Sequence, residues 1–355
     1  MRGTPDPVGW PDAARQAAFE HWIAGVAPAH GLELDSLAPA SADASFRRYL
    51  RIAATRAPGG SLIVMDAPPP LEDVRPFVHV AGLIAAAGLH APRVLAADTA
   101  QGFLLLTDLG NRLLLDALRE ADAATADRLM RPALQSLVRW QQGVDATALP
   151  AWGEAQIRAE LALFPEWCVQ REYGIAWTAA EQAAWARVCD AIVASALAQP
   201  SVAVHADWMP RNLMLGRGDD DGEPGILDFQ DAVRGPITYD LVSLLRDAFV
   251  SWDEEQQLDW AVRWWQQARG AGLPVDDDFG EFWRALEWTG LQRHLRILGV
   301  FCRLKHRDAK PRYAEDLPRF FGYATRVALR YAPLAPLARL LEPMSGQRVL
   351  AAHTF

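Results

Sequence analysis

The stretches "VHADWMPRNLML" (204–215) and "GILDFQD" (225–231) hold the side chains best suited to chemistry in this chain. Asp207 follows an apolar run, Asn212 comes five residues later, and Asp228 follows a second apolar run. Two carboxylates and an amide oxygen suit a hard cation such as Mg²⁺, with positions left for phosphate oxygens. A carboxylate that binds no metal can take a proton from a hydroxyl. The spacing H-x-D-x-x-x-x-N, followed by apolar-D-F, fits phosphoryl transfer. In that assignment Asp207 orients and deprotonates the acceptor hydroxyl, while Asn212 and Asp228 hold Mg²⁺ on the nucleotide phosphates. His205 supports the loop through hydrogen bonds. Alone, each of these residues reads as a turn or cap residue; it is the combination that points to a site.

A hairpin must bring them together. "NLML-GRGDDDGEPG-ILDFQD" (212–231) has two short apolar strands around a turn of Gly, Asp and Pro. Antiparallel pairing sets the start of one strand beside the end of the other, so Asn212 is expected near Asp228, with Asp207 in the loop just before. Asp219, Asp220, Asp221 and Gly222 are contiguous rather than alternating, and no Glu stands at the twelfth position, so they read as a solvated turn and not a Ca²⁺ loop.

Upstream, helical periodicity predicts a helix over 11–25 and another over 72–88, ending at Gly88. An extended stretch within 41–53 puts Phe46, Arg48, Leu50 and Ile52 on one face. "SLIVMDAP" (61–68) predicts a strand, and 93–110 two strands around a turn. After Gly110 the pattern becomes helical: 112–121, 123–143, 154–172, 179–198, 236–250, 254–270, 278–307 and 313–330, with β signal only near 202–229 and a Pro/Ala/Leu-rich end at 332–341. The expected organisation is α+β: a small β-rich N-terminal lobe (1–106) that binds nucleotide, a connector at 107–110, and a large helical C-terminal lobe (111–355) with the catalytic hairpin and substrate site.

Bulk properties narrow the function. The chain has 355 residues, 51% of them hydrophobic, enough for two substantial cores. A net charge of −9 argues against nucleic acid or anionic membrane as a partner. Cys168, Cys189 and Cys302 form no CxxC pair and read as reduced, buried thiols of a cytoplasmic protein. The first ten or so residues lack a secretory core and read as a loose tail, and no apolar run is long enough to span a membrane.

The segment "HADWMPRNLML…GILDFQDAVRGPITYDLVSLLRD" resembles the catalytic segment of the aminoglycoside-phosphotransferase-like kinases. "SADASFRRYLR", "VMDAPPPLEDVRPFVHVAGLIAAAGLHAPRVL", "FLLLTDLG", "DFQDAVRGPITYDLVSLLRDAF" and "LQRHLRILGVFCRLKHRDAKPRYAEDLPRF" are similar to one branch, the anomeric sugar kinases acting on N-acetylmuramate and N-acetylglucosamine in cell-wall recycling. The resemblance covers most of 40–320. It implies a protein-kinase-like two-lobed fold, ATP and Mg²⁺ as cofactors, a small amino-sugar substrate phosphorylated at C1, and action as a monomer. It also implies Asp207 as base, Asn212 and Asp228 as metal ligands, main-chain hydrogen bonds from Thr107 and Leu109 to adenine, and Asp240 as a brace for the catalytic loop. Asp231 is a candidate for assisting metal or substrate.

The chain departs from the kinase pattern in one respect. Met65 stands where a phosphate-binding Lys is expected, and the only lysines are Lys305 and Lys310. The phosphate loop "ASADASFRR" offers Ser41 and Ser45 as hydroxyl donors rather than glycines. Either the protein is a non-catalytic nucleotide binder, or another cation serves; Arg47 and Arg48 are the candidates, with a forked guanidinium for phosphate. The complete Asp207, Asn212 and Asp228 set favours catalysis. For the substrate, an aminoglycoside polycation calls for acids and N-acetylmuramate for a cation. Along the helix at 285–307, Arg293, Arg296, Arg303 and Arg307 oppose an apolar stripe of Trp288, Leu291, Leu295, Leu298 and Cys302. Arg293, Arg296, Arg234 and Arg246 are candidate anion contacts, and Trp208 a candidate platform for the sugar ring.

Overall fold

A computed structural model describes residues 8–41, 46–216 and 222–346. Residues 1–7 of the stretch expected as a tail, Ser45, and Asp219–Asp221 of the expected turn lie outside them. In chain order the elements are α1 (Ala13–His30), β1 (Leu32–Ser41), β2 (Arg48–Ala54), β3 (Ser61–Asp66), α2 (Arg75–Ala86), β4 (Val94–Asp98), β5 (Phe103–Thr107), α3 (Leu114–Arg119) and α4 (Ala123–Gly143). There follow α5 (Glu154–Leu163), α6 (Ala179–Ala198), β6 (Ser201–Val204), β7 (Leu213–Met214), β8 (Gly225–Ile226), β9 (Val233–Pro236), α7 (Tyr239–Leu245), α8 (Glu254–Gly270), α9 (Phe279–His306), α10 (Leu317–Arg330) and α11 (Ala335–Ser345). The class is α+β, a five-stranded N-terminal sheet and a mainly helical remainder. Among the described residues no helix is long and apolar enough to cross a membrane.

The chain forms two compact units, Met1–Val144 with Pro210–Ala232, and Asp145–Met209 with Val233–Phe355. The stretch 107–110, expected as a connector, lies inside the first, between β5 and α3. The sheet of this unit has the order β1-β2-β3-β5-β4, every neighbour antiparallel. Alternation sorts its faces. Leu50, Ile52, Leu62, Val64, Phe103 and Leu105 are buried against Phe19 and Ile23 of α1. Each such side chain contributes about 1.5–3 kcal/mol by leaving water. Helix α1 starts where the Asp12 carboxylate accepts from Arg15 N at 2.7 Å and stops at Gly31, left-handed at φ 64°. On the other face Arg51, Ile63 and Leu106 stand in register across three strands. Phe77 of α2 packs on Phe229 with ring centroids 4.6 Å apart.

Helices α5, α6, α9, α10 and α11 share the core of the second unit. Helix α9 starts at Asp278, whose carboxylate accepts from Gly280 N and Glu281 N, and runs 28 residues. Its expected stripe, Trp288, Leu291, Leu295, Leu298 and Cys302, is buried. On the opposite face the four arginines differ: Arg293 is 1% exposed, because α9 is packed on more than one side, Arg296 and Arg303 are half-buried, and Arg307 is exposed.

Three elements differ from the sequence reading. Strand β1 carries Asp, Ser and Pro and gave no signal; it lies at the sheet edge, where those residues are tolerated. The helix expected over 154–172 leaves α geometry at Leu163 and continues as π-helical turns over Phe164–Glu172, where Pro165 lacks an N–H to donate. Strand β9 lies beyond the expected β region and pairs with β6 from Ser201↔Pro236 to Val204↔Val233.

Candidate active site

In the first unit the expected hairpin is present. Leu213 pairs with Ile226 and Met214 with Gly225, and Leu227 N donates to the Asn212 carbonyl at 2.9 Å. Asn212 and Asp228 line the same cavity, of about 450 Å³. Asp228 has φ 59°, a left-handed backbone that costs a non-glycine residue about 1–3 kcal/mol and that is typical of functional positions. Its Oδ1 accepts from Gln230 Nε2 at 2.9 Å. One carboxylate and one amide on a single wall are hard oxygen donors and fit Mg²⁺. Among the described residues no group of three or more His, Cys, Asp or Glu is gathered to hold a metal, so an ion held by Asn212 and Asp228 would need phosphate or water for its remaining ligands.

The cavity has the size of a cofactor site. Tyr49, Arg51, Ile63 and Leu106 come from the sheet, Thr107 to Asn111 from the stretch after β5, and Arg211 from beside Asn212. Thr107 is tied to Arg93: its N donates to the Arg93 carbonyl at 3.1 Å, and its Oγ1 accepts from Arg93 N at 2.9 Å. The Thr107 N–H is thus already used, which leaves its carbonyl as the main-chain group for the adenine bond expected there. Leu109 lines the cavity and sits so close to Gly225 that a Cβ there would meet Leu109 Cδ1 at 2.6 Å. Asp108 accepts from Arg51 Nε at 2.7 Å, Ser61 Oγ at 2.6 Å and Gly110 N at 2.8 Å. Burial pushes the Asp108 carboxyl up, but Arg51, Ser61 and Gly110 outweigh it and hold it below the usual range. Tyr49, Arg51, Asp108 and Arg211 were missed from sequence; the alternation Arg47, Tyr49, Arg51 along β2 was the available signal.

The two candidate phosphate cations separate. Arg47 Nε donates to Glu72 Oε2 at 3.0 Å, and Arg47 Nη1 lies 4.0 Å from Asp228 Oδ1. Arg48 turns elsewhere: its guanidinium pairs with Asp66, 1% exposed, and donates to the Gly9 carbonyl. Arg15 of α1 meets the same carboxylate, with Nε 3.0 Å from Asp66 Oδ1. Arg48 is thus corrected from a phosphate ligand to one arm of a clamp on a buried acid. Ser41 is described only by its backbone, paired with Tyr49, and Ser45 lies outside the described residues.

In the second unit Asp207 follows β6. The loop before it is held by Asp240, which accepts from His205 N at 2.7 Å and Ala206 N at 3.1 Å, as expected of a brace. Ala206 is left-handed at φ 76°. Burial pushes the Asp240 carboxyl up to about 7, against the two N–H donors. Asp207 N donates to His205 Nδ1 at 3.3 Å.

The substrate candidates fare unevenly. Trp208 is fully buried, edge-on to His205 at 5.5 Å, so it packs the loop and presents no face to a sugar. Arg246 is buried on Gln257 at 2.9 Å and Glu287 at 3.1 Å, and burial lowers its pKa; it closes an internal ion pair rather than meeting an anion. Arg293 is likewise buried, with Nη2 3.7 Å from Asp207 Oδ1. Arg296 Nε lies 3.7 Å from Glu160 Oε1. Arg234 is half-buried and pairs through its backbone with Ala203. Asp231 is exposed in the first unit and accepts from Gln230 Nε2 at 3.0 Å.

Comparison with known proteins gives concordant matches. The pattern of the phosphotransferase enzyme family matches residues 36–283. An N-acetylmuramate/N-acetylglucosamine kinase of Pseudomonas aeruginosa is 50% identical over 310 residues, 87% of this chain and 88% of that protein. One of the same name from Neisseria meningitidis is 45% identical, covering 95% of this chain and 98% of its own. Among solved structures, an ADP-bound aminoglycoside phosphotransferase superposes with a TM-score of 0.54 at 12% identity, over 87% of this chain and 96% of its own, a likeness of fold alone.

Proposed function

The chain belongs to the phosphotransferase enzyme family, and from that premise we propose that it is an ATP-dependent sugar kinase that phosphorylates the anomeric C1 hydroxyl of N-acetylmuramate and N-acetylglucosamine. It works in the cytoplasm, in cell-wall recycling. The observation that carries this reading is near-half identity, along almost the whole chain, to two relatives of that name. The cavity behind the hairpin takes ATP, its base against the stretch Thr107–Asn111 and its phosphates toward Asn212 and Asp228.

The residues divide the work as phosphoryl transfer requires. Mg²⁺, when bound, offsets charge on the phosphate oxygens. Asn212 and Asp228 supply its protein ligands. Arg47, oriented by Glu72, brings a guanidinium to the phosphates in place of the missing lysine. Asp207 accepts the proton of the anomeric hydroxyl as its oxygen attacks the terminal phosphorus, and the ADP oxygen leaves with the bond electrons. Arg296 and Arg234 remain the candidate contacts for the substrate carboxylate.

A panel assay separates the alternatives. ADP release is expected with N-acetylmuramate and N-acetylglucosamine and at background with kanamycin-like amines. Release only with the amines would move the protein to the antibiotic kinases; nucleotide binding without release on any acceptor would mark a non-catalytic binder.

A further inference from the structure

Arg293 has an unusual set of partners. It is 1% exposed, in the middle of α9. Burying a charge is costly unless it is matched. A structural ion pair would lay the guanidinium fork on a carboxylate at hydrogen-bond distance. Here Nε donates instead to Ser243 Oγ at 2.7 Å and Nη2 to Met209 Sδ at 3.6 Å, and Nη1 has no partner among the described residues. Ser243 is itself fixed, donating to the Tyr239 carbonyl at 3.0 Å. The guanidinium is therefore held by neutral groups, with Nη2 3.7 Å from Asp207 Oδ1. That is close enough for Coulomb attraction in a poorly screened site, and too far to occupy the lone pair that must receive a proton.

We propose that Arg293 is a positioning residue for the reaction: locked by Ser243, it sets the place of the Asp207 carboxylate. This rests on Asp207 being the base. Two anchors then define the loop, Asp240 on the backbone of His205 and Ala206, and Arg293 on the side chain of Asp207. The neighbouring charged and titratable groups are Asp240 and Tyr239 on α7, Asp247 after it, Arg296 on α9, Glu160 on α5 and His205 in the loop. Asp240 and Asp247 are fully buried and accept from main-chain N–H groups, and burial pushes both carboxyls up.

The test measures kcat and KM for ATP in the wild type, Arg293→Met, Arg293→Lys, Ser243→Ala and Asp207→Asn. Arg293→Met is expected to lose about 10- to 100-fold in kcat, with KM for ATP changed less than about twofold. Arg293→Lys regains at least about tenfold, because a cation is restored beside Asp207. Native kcat in Arg293→Met beside an inactive Asp207→Asn overturns the proposal and leaves the base intact. So does a loss that lysine does not recover, the signature of mere packing. Should Arg293→Met fail to fold, Ser243→Ala decides: a several-fold fall in kcat at unchanged melting temperature supports the role, and native kcat overturns it. Near-native turnover in Asp207→Asn removes the base, and the proposal with it.

Discussion

Arg47 and Arg48 are adjacent, alike in chemistry and opposite in surroundings. Strand alternation turns Arg47 toward Glu72 and Asp228, and Arg48 toward Asp66 and the ring of Trp10, its Cζ 4.5 Å from the centroid. Replacing Arg47 by Met is expected to lower kcat/KM for ATP by about 10²-fold, near 2.7 kcal/mol. Arg48→Met should leave that ratio within about threefold and lower the melting temperature instead, since it strips a buried carboxylate of one partner. Steady-state kinetics and thermal melts of the two variants check both; equal kinetic losses would contradict the division. At this scale much was legible. The face shared by Arg48, Leu50 and Ile52 already implied that Arg48 leaves with the core side of β2. Burial was not legible: Trp208, Arg246 and Arg293 look like ligand contacts because polar or aromatic residues near a catalytic motif do, and only the packing around α7 and α9 shows them enclosed.

Among the elements, the hairpin carries the most consequence. It is short, two residues paired on each side, and its second strand opens on Gly225 against Leu109. That contact joins the hairpin of Asn212 and Asp228 to the cavity wall within one unit. Gly225→Val must displace Leu109 and Met214, and a stability loss of about 1–3 kcal/mol is expected. Because Leu109 lines the cavity, KM for ATP should rise several-fold in the same variant. Denaturant unfolding and ATP titration of kcat test this; a stable variant with native KM would show that the contact yields without consequence. Helices were the best-read elements, since caps such as Asp122 and Thr178 and long apolar periodicity coincide with their ends. Strand β1 was invisible because an edge strand needs no alternating apolar pattern, and the π-helical turns because no periodicity distinguishes them from α.

On the scale of the whole molecule, the first unit carries the cavity proposed for the nucleotide, lined by Asn212 and Asp228, and the second carries Asp207, with Asp240 on the loop before it and Arg293 beside it. The motif spans 207–228 in the chain and so draws on both units, which is why sequence could place the reaction class before any fold was known. The sugar was legible only through resemblance, because no described side chain by itself specifies an acetamido sugar. The central claim, that this chain transfers phosphate to an anomeric hydroxyl, is tested most directly by phosphorus NMR of the product formed from N-acetylmuramate and Mg-ATP. A new phosphate ester resonance coupled to the anomeric proton, in step with ADP, is the predicted result. A phosphate on any other hydroxyl, or no ester at all, would contradict it.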